Sequence, residues 1–212
     1  MNANELFRRK IFGAPIRFFY PTNVIGLENL PDEPFVLAAG PHKTLKDSMI
    51  IPSFLQDYEL HFLAKSSLWK IPVVGQFLTA TGQIPVERNS ERAADSVTPA
   101  VEDLNKGFND MVFPEGTRYL KDTAVHRGKT GAVRISLASG RPLVPMALRG
   151  IQKSSRHVKR ELVIGKPIYP RAMLATAENL LELRQQETIL AKYLTTQLMN
   201  TIAELAVQRY VA

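Results

Sequence analysis

The stretch "FVLAAGPHKTLKDSMIIP", Phe35 to Pro52, passes from an apolar run through Gly40 and Pro41 into a short polar loop, and then into an apolar-periodic segment. An unbroken apolar run bounded by a turn signal reads as a buried strand. The segment from Asp47 onward reads as a helix. A buried strand that delivers the chain into a helix is the repeating unit of a domain with helices packed on a sheet. The loop between them carries His42 and, five residues on, Asp47.

Six further β-like runs lie along the chain: "NVIGLE" from Asn23, "ELHFLA" from Glu59, "GQIPVE" from Gly82, "DMVFP" from Asp110, "PLVPMAL" from Pro142 and "ELVIG" from Glu161. Helix-like stretches separate most of them. "SERAADSVTPAVEDLNKG" follows the "GQIPVE" run, with Pro99 expected to bend or shorten it. "RGKTGAVRISLASG" is expected to end on Gly140 as a C-cap. From about Ala177 to Tyr210, Leu190, Leu194, Leu198, Ile202 and Leu205 recur at intervals of three or four, giving one apolar stripe of an amphipathic helix. The alternation predicts a single α/β domain over residues 21–212, with a mixed, largely parallel sheet flanked by helices and an amphipathic C-terminal helix. Sites are then expected at the strand ends.

The chain has 212 residues, 45% of them hydrophobic, with a formal net charge of +7 and no cysteine. That length and apolar content suit one core. The missing cysteine removes disulfides, thiolate nucleophiles and Cys-based zinc sites. His61, His126 and His157 show no zinc-ligand spacing, so no metal site is expected. No run of about 18–20 apolar residues suggests a spanning helix, and the start of the sequence lacks a signal-peptide pattern. The positive charge implies an anionic partner: nucleic acid, an acidic membrane or phosphorylated substrates. "KSSRHVKR", Lys153 to Arg160, reads as a solvated basic loop or as a face toward a membrane or acidic carrier.

Two readings of "PHKTLKDSM" stand side by side. Thr44 and Asp47 fit the [ST]-x-x-[DE] capping pattern, so Asp47 could simply satisfy a backbone N–H. Alternatively, a carboxylate on the first helical turn reaches back to His42, and an Asp–His pair is how a general base is oriented. "FPEGTR", Phe113 to Arg118, is either a turn with a surface Glu115–Arg118 pair or a Gly-containing loop that presents a guanidinium to phosphate. "HRGKT" lacks the first glycine of a P-loop, since Thr123 stands there, and no G-x-S-x-G elbow occurs.

Four blocks fall in one order: "HKTLKD", "GQIPVER", "FPEGTR" and "PLVPMAL". That order resembles the glycerolipid acyltransferase family of the PlsC, or lysophosphatidate acyltransferase, type. The resemblance runs from about Val24, in "VIGLENLP", to about Leu148. Pro41 stands where many members have Asn, and Thr44 where Ser is common; Thr retains a hydroxyl. The resemblance implies His42 as general base and Asp47 as its orienting carboxylate. It also implies that Lys65, Arg88, Glu115, Gly116, Thr117 and Arg118 bind the phosphorylated substrate.

The activity implied is transfer of a fatty acyl group from a thioester, acyl-CoA or acyl carrier protein, to the hydroxyl of 1-acyl-glycerol-3-phosphate. Neither cofactor nor nucleic acid is implied. Glycerol 3-phosphate or another lysophospholipid is the alternative acceptor, and a non-catalytic membrane or nucleic-acid binding protein is the alternative of another class. Residues 1–20, with "LFRRKIFGAPIRFFY", mix cations and rings as an interfacial segment does, and equally fit a helix whose apolar side covers the core. The expectation is a cytoplasmic protein held peripherally on the anionic inner face of the cell membrane.

Overall fold

The computed structural model describes residues 13–87, 97–120, 124–150, 159–174, 180–207 and 210–211. Within them lie strands β1 (Asn23–Ile25), β2 (Val36–Gly40), β3 (Leu60–Lys65), β4 (Ile84–Val86), β5 (Asn109–Val112), β6 (Val125–His126), β7 (Leu143–Arg149), β8 (Glu161–Ile164) and β9 (Tyr210–Val211). The helices are α1 (Ala14–Phe19), α2 (Asp47–Phe54), α3 (Pro72–Ala80), α4 (Val97–Asn105), α5 (Gly131–Ser139) and α6 (Leu180–Ala206).

Seven strands form one sheet in the order β1-β8-β7-β2-β5-β3-β4. Strands β2, β3, β4, β5 and β7 run parallel, β8 runs antiparallel to β7, and β1 runs with β8. The expected mixed, largely parallel α/β sheet is what forms, and all seven β-like runs are strands of it. The apolar run "FVLAAG" supplies the central strand β2, buried along its whole length between β7 and β5.

Alternate residues of the strands feed two cores, because side chains in a strand point to opposite faces. Val36, Ala38, Leu143 and Ala147 meet Leu104 of α4, Ile135 of α5 and Leu194, Leu198 and Ile202 of α6. Leu37, Ala39, Val144 and Met146 meet Ile16 of α1 and Ile50 and Ile51 of α2. The predicted C-terminal stripe is thus the side of α6 that covers the sheet, with Leu190 and Leu205 partly buried at its margins. Each fully buried Leu or Ile of this stripe contributes about 1.5–3 kcal/mol.

Local signals explain the helix ends. Gly140 closes α5 in the left-handed conformation (φ 74°), as its place after "LAS" suggested. Pro52 lies inside α2, which stops two residues later. Pro99 sits in the first described turn of α4; the expected start of that helix, before residue 97, lies outside the described residues. Helix α3 was not expected from the sequence, and neither was the small parallel ribbon of β6 and β9.

Candidate active site

His42 leaves the C-terminal end of β2, the usual place for a site in a parallel α/β sheet. The neighbouring parallel strands β5 and β3 end at the same edge. The loop after β5 carries Glu115 to Arg118, and Lys65 is the last residue of β3, opposite Val86 of β4. Topology therefore gathers His42, Lys65 and the "PEGTR" loop along one edge, although 73 residues separate His42 from Glu115 in the chain. Arg88 lies outside the described residues.

Asp47 opens α2 and turns its carboxylate back over the loop. Its Oδ2 lies 2.9 Å from His42 Nδ1 and accepts the N–H groups of Lys43 (2.7 Å) and Thr44 (2.8 Å). Its Oδ1 accepts the Thr44 hydroxyl at 2.8 Å. Both readings of the stretch are therefore met by one carboxylate, which organises the loop backbone and faces the imidazole. Thr44 is not the N-cap. That position belongs to Lys46, which makes no side-chain cap bond, and the Thr44 hydroxyl serves Asp47. With Nδ1 donating to Asp47, Nε2 is the nitrogen left to accept a proton.

The imidazole is also stacked on Phe113, ring centroids 3.9 Å apart and planes 16° from parallel. His42 and Asp47 are both buried. A ring held by a carboxylate at one edge and an aromatic face beneath has little freedom to turn. That suits a base that must meet a hydroxyl in one orientation.

The "FPEGTR" residues divide in two. Thr117 and Arg118 are exposed, as a residue reaching for a ligand must be. Glu115 is only 2% exposed and points inward: its Oε2 accepts the His42 N–H at 2.6 Å and its Oε1 the His126 N–H at 2.8 Å. The surface Glu115–Arg118 pair of the simpler turn reading is not formed, since the Glu115 carboxylate serves the backbone. Gly116 has φ 67°, a left-handed conformation that calls for glycine, while the nearest atoms to a Cβ there would belong to the movable end of the Lys129 side chain.

Sequence reasoning passed over four residues of this site. Besides Phe113 as a platform, Lys43 is buried and donates from Nζ to the Ala124 carbonyl at 2.6 Å. Tyr119 donates its N–H to the His42 carbonyl at 3.2 Å, and its ring stacks on His126 at 3.6 Å. Lys43 and Phe113 lie inside the two blocks and Tyr119 follows the second, which is their only sequence signal; His126 has none.

His61, read from the sequence as a satisfied strand residue, bonds Asp103 at 2.6 Å and takes no part in this edge. Among the described residues no cluster of His, Asp and Glu is arranged to hold a metal, and no helix is long and apolar enough to cross a membrane.

Residues 21–149 match the model of the Acyltransferase family. The chain is 32% identical over 150 residues to the 1-acyl-sn-glycerol-3-phosphate acyltransferase of Bacillus subtilis, covering 69% of this chain and 73% of that protein. A chloroplastic 1-acyl-sn-glycerol-3-phosphate acyltransferase of Brassica napus is 35% identical over 162 residues, 71% of this chain and 46% of its own length. The chain spans less than half the length of that relative and of its Arabidopsis thaliana counterpart. The crystal structure of the 1-acyl-sn-glycerophosphate acyltransferase PlsC from Thermotoga maritima superimposes with a TM-score of 0.57 at 26% identity, over 89% of this chain and 77% of that one. With more than half of its residues inside the family model, and with a fold that matches the Thermotoga structure over 89% of its length, the chain belongs to the Acyltransferase family and is of the PlsC type.

Proposed function

We propose that the protein transfers a fatty acyl group from an acyl thioester to the free hydroxyl of 1-acyl-glycerol-3-phosphate, forming phosphatidate, with His42 as general base. The observation that carries this reading is the His42–Asp47 pair, buried, stacked on Phe113 and standing at the strand edge that also bears Arg118 and Lys65.

His42 Nε2 takes the hydroxyl proton as the acceptor oxygen attacks the thioester carbonyl. The new C–O bond forms, the C–S bond breaks, and the proton passes from the imidazolium to the departing thiolate. Asp47 holds the Nδ1–H tautomer and stabilises the imidazolium while it lasts. Transfer is direct, with no acyl-enzyme, in keeping with a chain that has no cysteine. Arg118 offers paired donors to the acceptor phosphate, Thr117 is its neighbour on the loop and Lys65 stands at the same sheet edge; for Arg88, outside the described residues, the phosphate role is the one the family resemblance implies. Gly116 lets the loop backbone turn there. Glu115 takes a different part from the one the family resemblance implied, since both its oxygens hold backbone N–H groups and a carboxylate repels phosphate.

The acceptor resides in a bilayer, so the protein works from its surface, on the cytoplasmic face of the cell membrane. Helix α1 supports this: Ile16 is buried and Arg17 donates to the Ser53 carbonyl at 3.0 Å, while Phe18 and Phe19 stand 70% and 52% exposed. Ile16 thus covers the core, as one reading of residues 1–20 expects, and the outward Phe18 and Phe19 are the rings that the interfacial reading would use. Residues 1–12 lie outside the described ones.

The test is to supply lysophosphatidate with acyl-CoA or with acyl carrier protein and to follow phosphatidate by mass spectrometry, with glycerol 3-phosphate and other lysophospholipids as competing acceptors. Phosphatidate from either thioester is expected. Its absence with both, or a preference for another acceptor, would overturn the proposal.

A further inference from the structure

Apart from the main sheet, β6 and β9 pair in parallel, Val125 opposite Tyr210 and His126 opposite Val211, with α6 lying against both. The ribbon touches the catalytic loop at three points. The His126 N–H and the His42 N–H share the two oxygens of Glu115. Tyr119, bonded through its N–H to the His42 carbonyl, stacks on the His126 ring. Lys43, the residue after His42, donates to the carbonyl of Ala124, the residue before β6.

We propose that β9 is a positioning strap for His42: its backbone pairing holds β6, and β6 holds the His42 backbone through Glu115. A carboxylate clamped between two N–H groups can fix one only as firmly as the other is fixed. Here the far one belongs to a two-residue strand whose partner is equally short. Isolated two-stranded ribbons are marginal, and such elements open at far lower cost than a central sheet. Val125 anchors one end of β6 in the core beneath α6, so loosening β9 leaves β2 in place and frees chiefly the His126 side of the ribbon, the side that Glu115 holds. The inference rests on the reading of His42 as the base, but its structural half can be measured without catalysis.

The variant Tyr210→Pro/Val211→Pro removes both backbone donors of β9, while Tyr210→Val/Val211→Ile keeps them and preserves strand propensity. Proline is expected to lower kcat by roughly tenfold to 10²-fold, the upper figure being what a 1 Å misplacement costs, with KM for both substrates within about twofold. Val/Ile is expected to restore wild-type kcat. Added to Glu115→Gln, the proline pair is expected to bring little further loss, because both act along one path.

If the proline variant unfolds, Tyr210→Gly/Val211→Gly weakens the strand while keeping its donors and is expected to lower kcat in the same direction. Amide hydrogen exchange at His42 and His126 is read in parallel and is expected to speed up in the folded proline or glycine variant. Unchanged exchange there overturns the strap whatever the activity. Unchanged kcat, or losses that simply multiply with Glu115→Gln, overturn its catalytic role. Absence of acyl transfer in the wild type would instead count against the proposed function alone.

Discussion

His42 Nδ1 and Asp47 Oδ2 lie 2.9 Å apart, and that same oxygen accepts the N–H groups of Lys43 and Thr44. Asp47 therefore acts on the loop as well as on the imidazole. His42→Ala is expected to lower kcat by about 10²–10⁴-fold with the fold intact, the usual contribution of a positioned base. Asp47→Asn swaps one acceptor oxygen for an amide that has no use for so many donors, so it should cost both activity and some thermal stability. Paired kcat and melting measurements on the two variants check this. A folded His42→Ala protein with near-normal turnover would remove His42 from the mechanism.

Arg118 is exposed on a loop whose shape is set by Gly116, and it is not needed for packing. Arg118→Ala is expected to raise KM for the phosphorylated acceptor by about tenfold or more, since a charge-assisted contact to phosphate is worth about 1.5–3 kcal/mol. KM for the thioester should change little. Arg118→Lys should recover only part of the loss, because a point charge replaces a planar fork. A defect confined to the thioester would place Arg118 at the donor. Steady-state kinetics with each substrate varied in turn distinguishes the cases.

The fold was legible because its strands are short apolar runs between turn signals and α6 carries a regular stripe; these are local patterns that survive without knowledge of partners. Helix α3 was not, since "IPVVGQFLTA" keeps apolar side chains such as Val73 in the open and shows no polar face to contrast with a buried one. Likewise β6 and β9 are two residues each, too short for any periodicity. Within the site, the approach of Asp47 to His42 is a matter of one helical turn and could be foreseen. The inward aim of Glu115 could not, because it depends on an N–H group 73 residues away that only the pairing of β2 with β5 brings near.

Phe18 and Phe19 pack edge to face on each other, 5.2 Å between centroids, on the outward side of α1. Phe18→Ser/Phe19→Ser leaves Ile16 in the core, so the fold should survive while binding to anionic vesicles weakens several-fold. Rings entering the headgroup boundary supply apolar area, and each basic residue near the surface adds about 1 kcal/mol, reduced by salt. Co-sedimentation with anionic and neutral vesicles at low and high salt reads both contributions. Equal binding by wild type and variant would make these rings bystanders.

Asp110 sits in β5 directly across from His61 of β3, and neither of its carboxyl oxygens receives a hydrogen bond from a donor. Burial, then the charge of Asp103, then a hydrogen bond with Asp103 push its carboxyl from 3.8 up to about 9. In the protonated form its O–H can donate to Asp103, which also bonds His61 at 2.6 Å. The unfolded chain gives up this proton near the ordinary value of 3.8 and the folded chain keeps it to about 9, so the native state binds more protons between the two. Stability from this group is complete below the lower value and is lost as pH rises toward the upper one, at a slope of up to about 1.4 kcal/mol per pH unit. Asp110→Asn keeps a neutral donor and removes the titration. Its stability should therefore fall less steeply than that of the wild type between about pH 5 and about pH 9, leaving the variant the more stable protein at the alkaline end. Urea unfolding midpoints across that range provide the comparison. Parallel curves would mean that the native state does not retain a proton at Asp110.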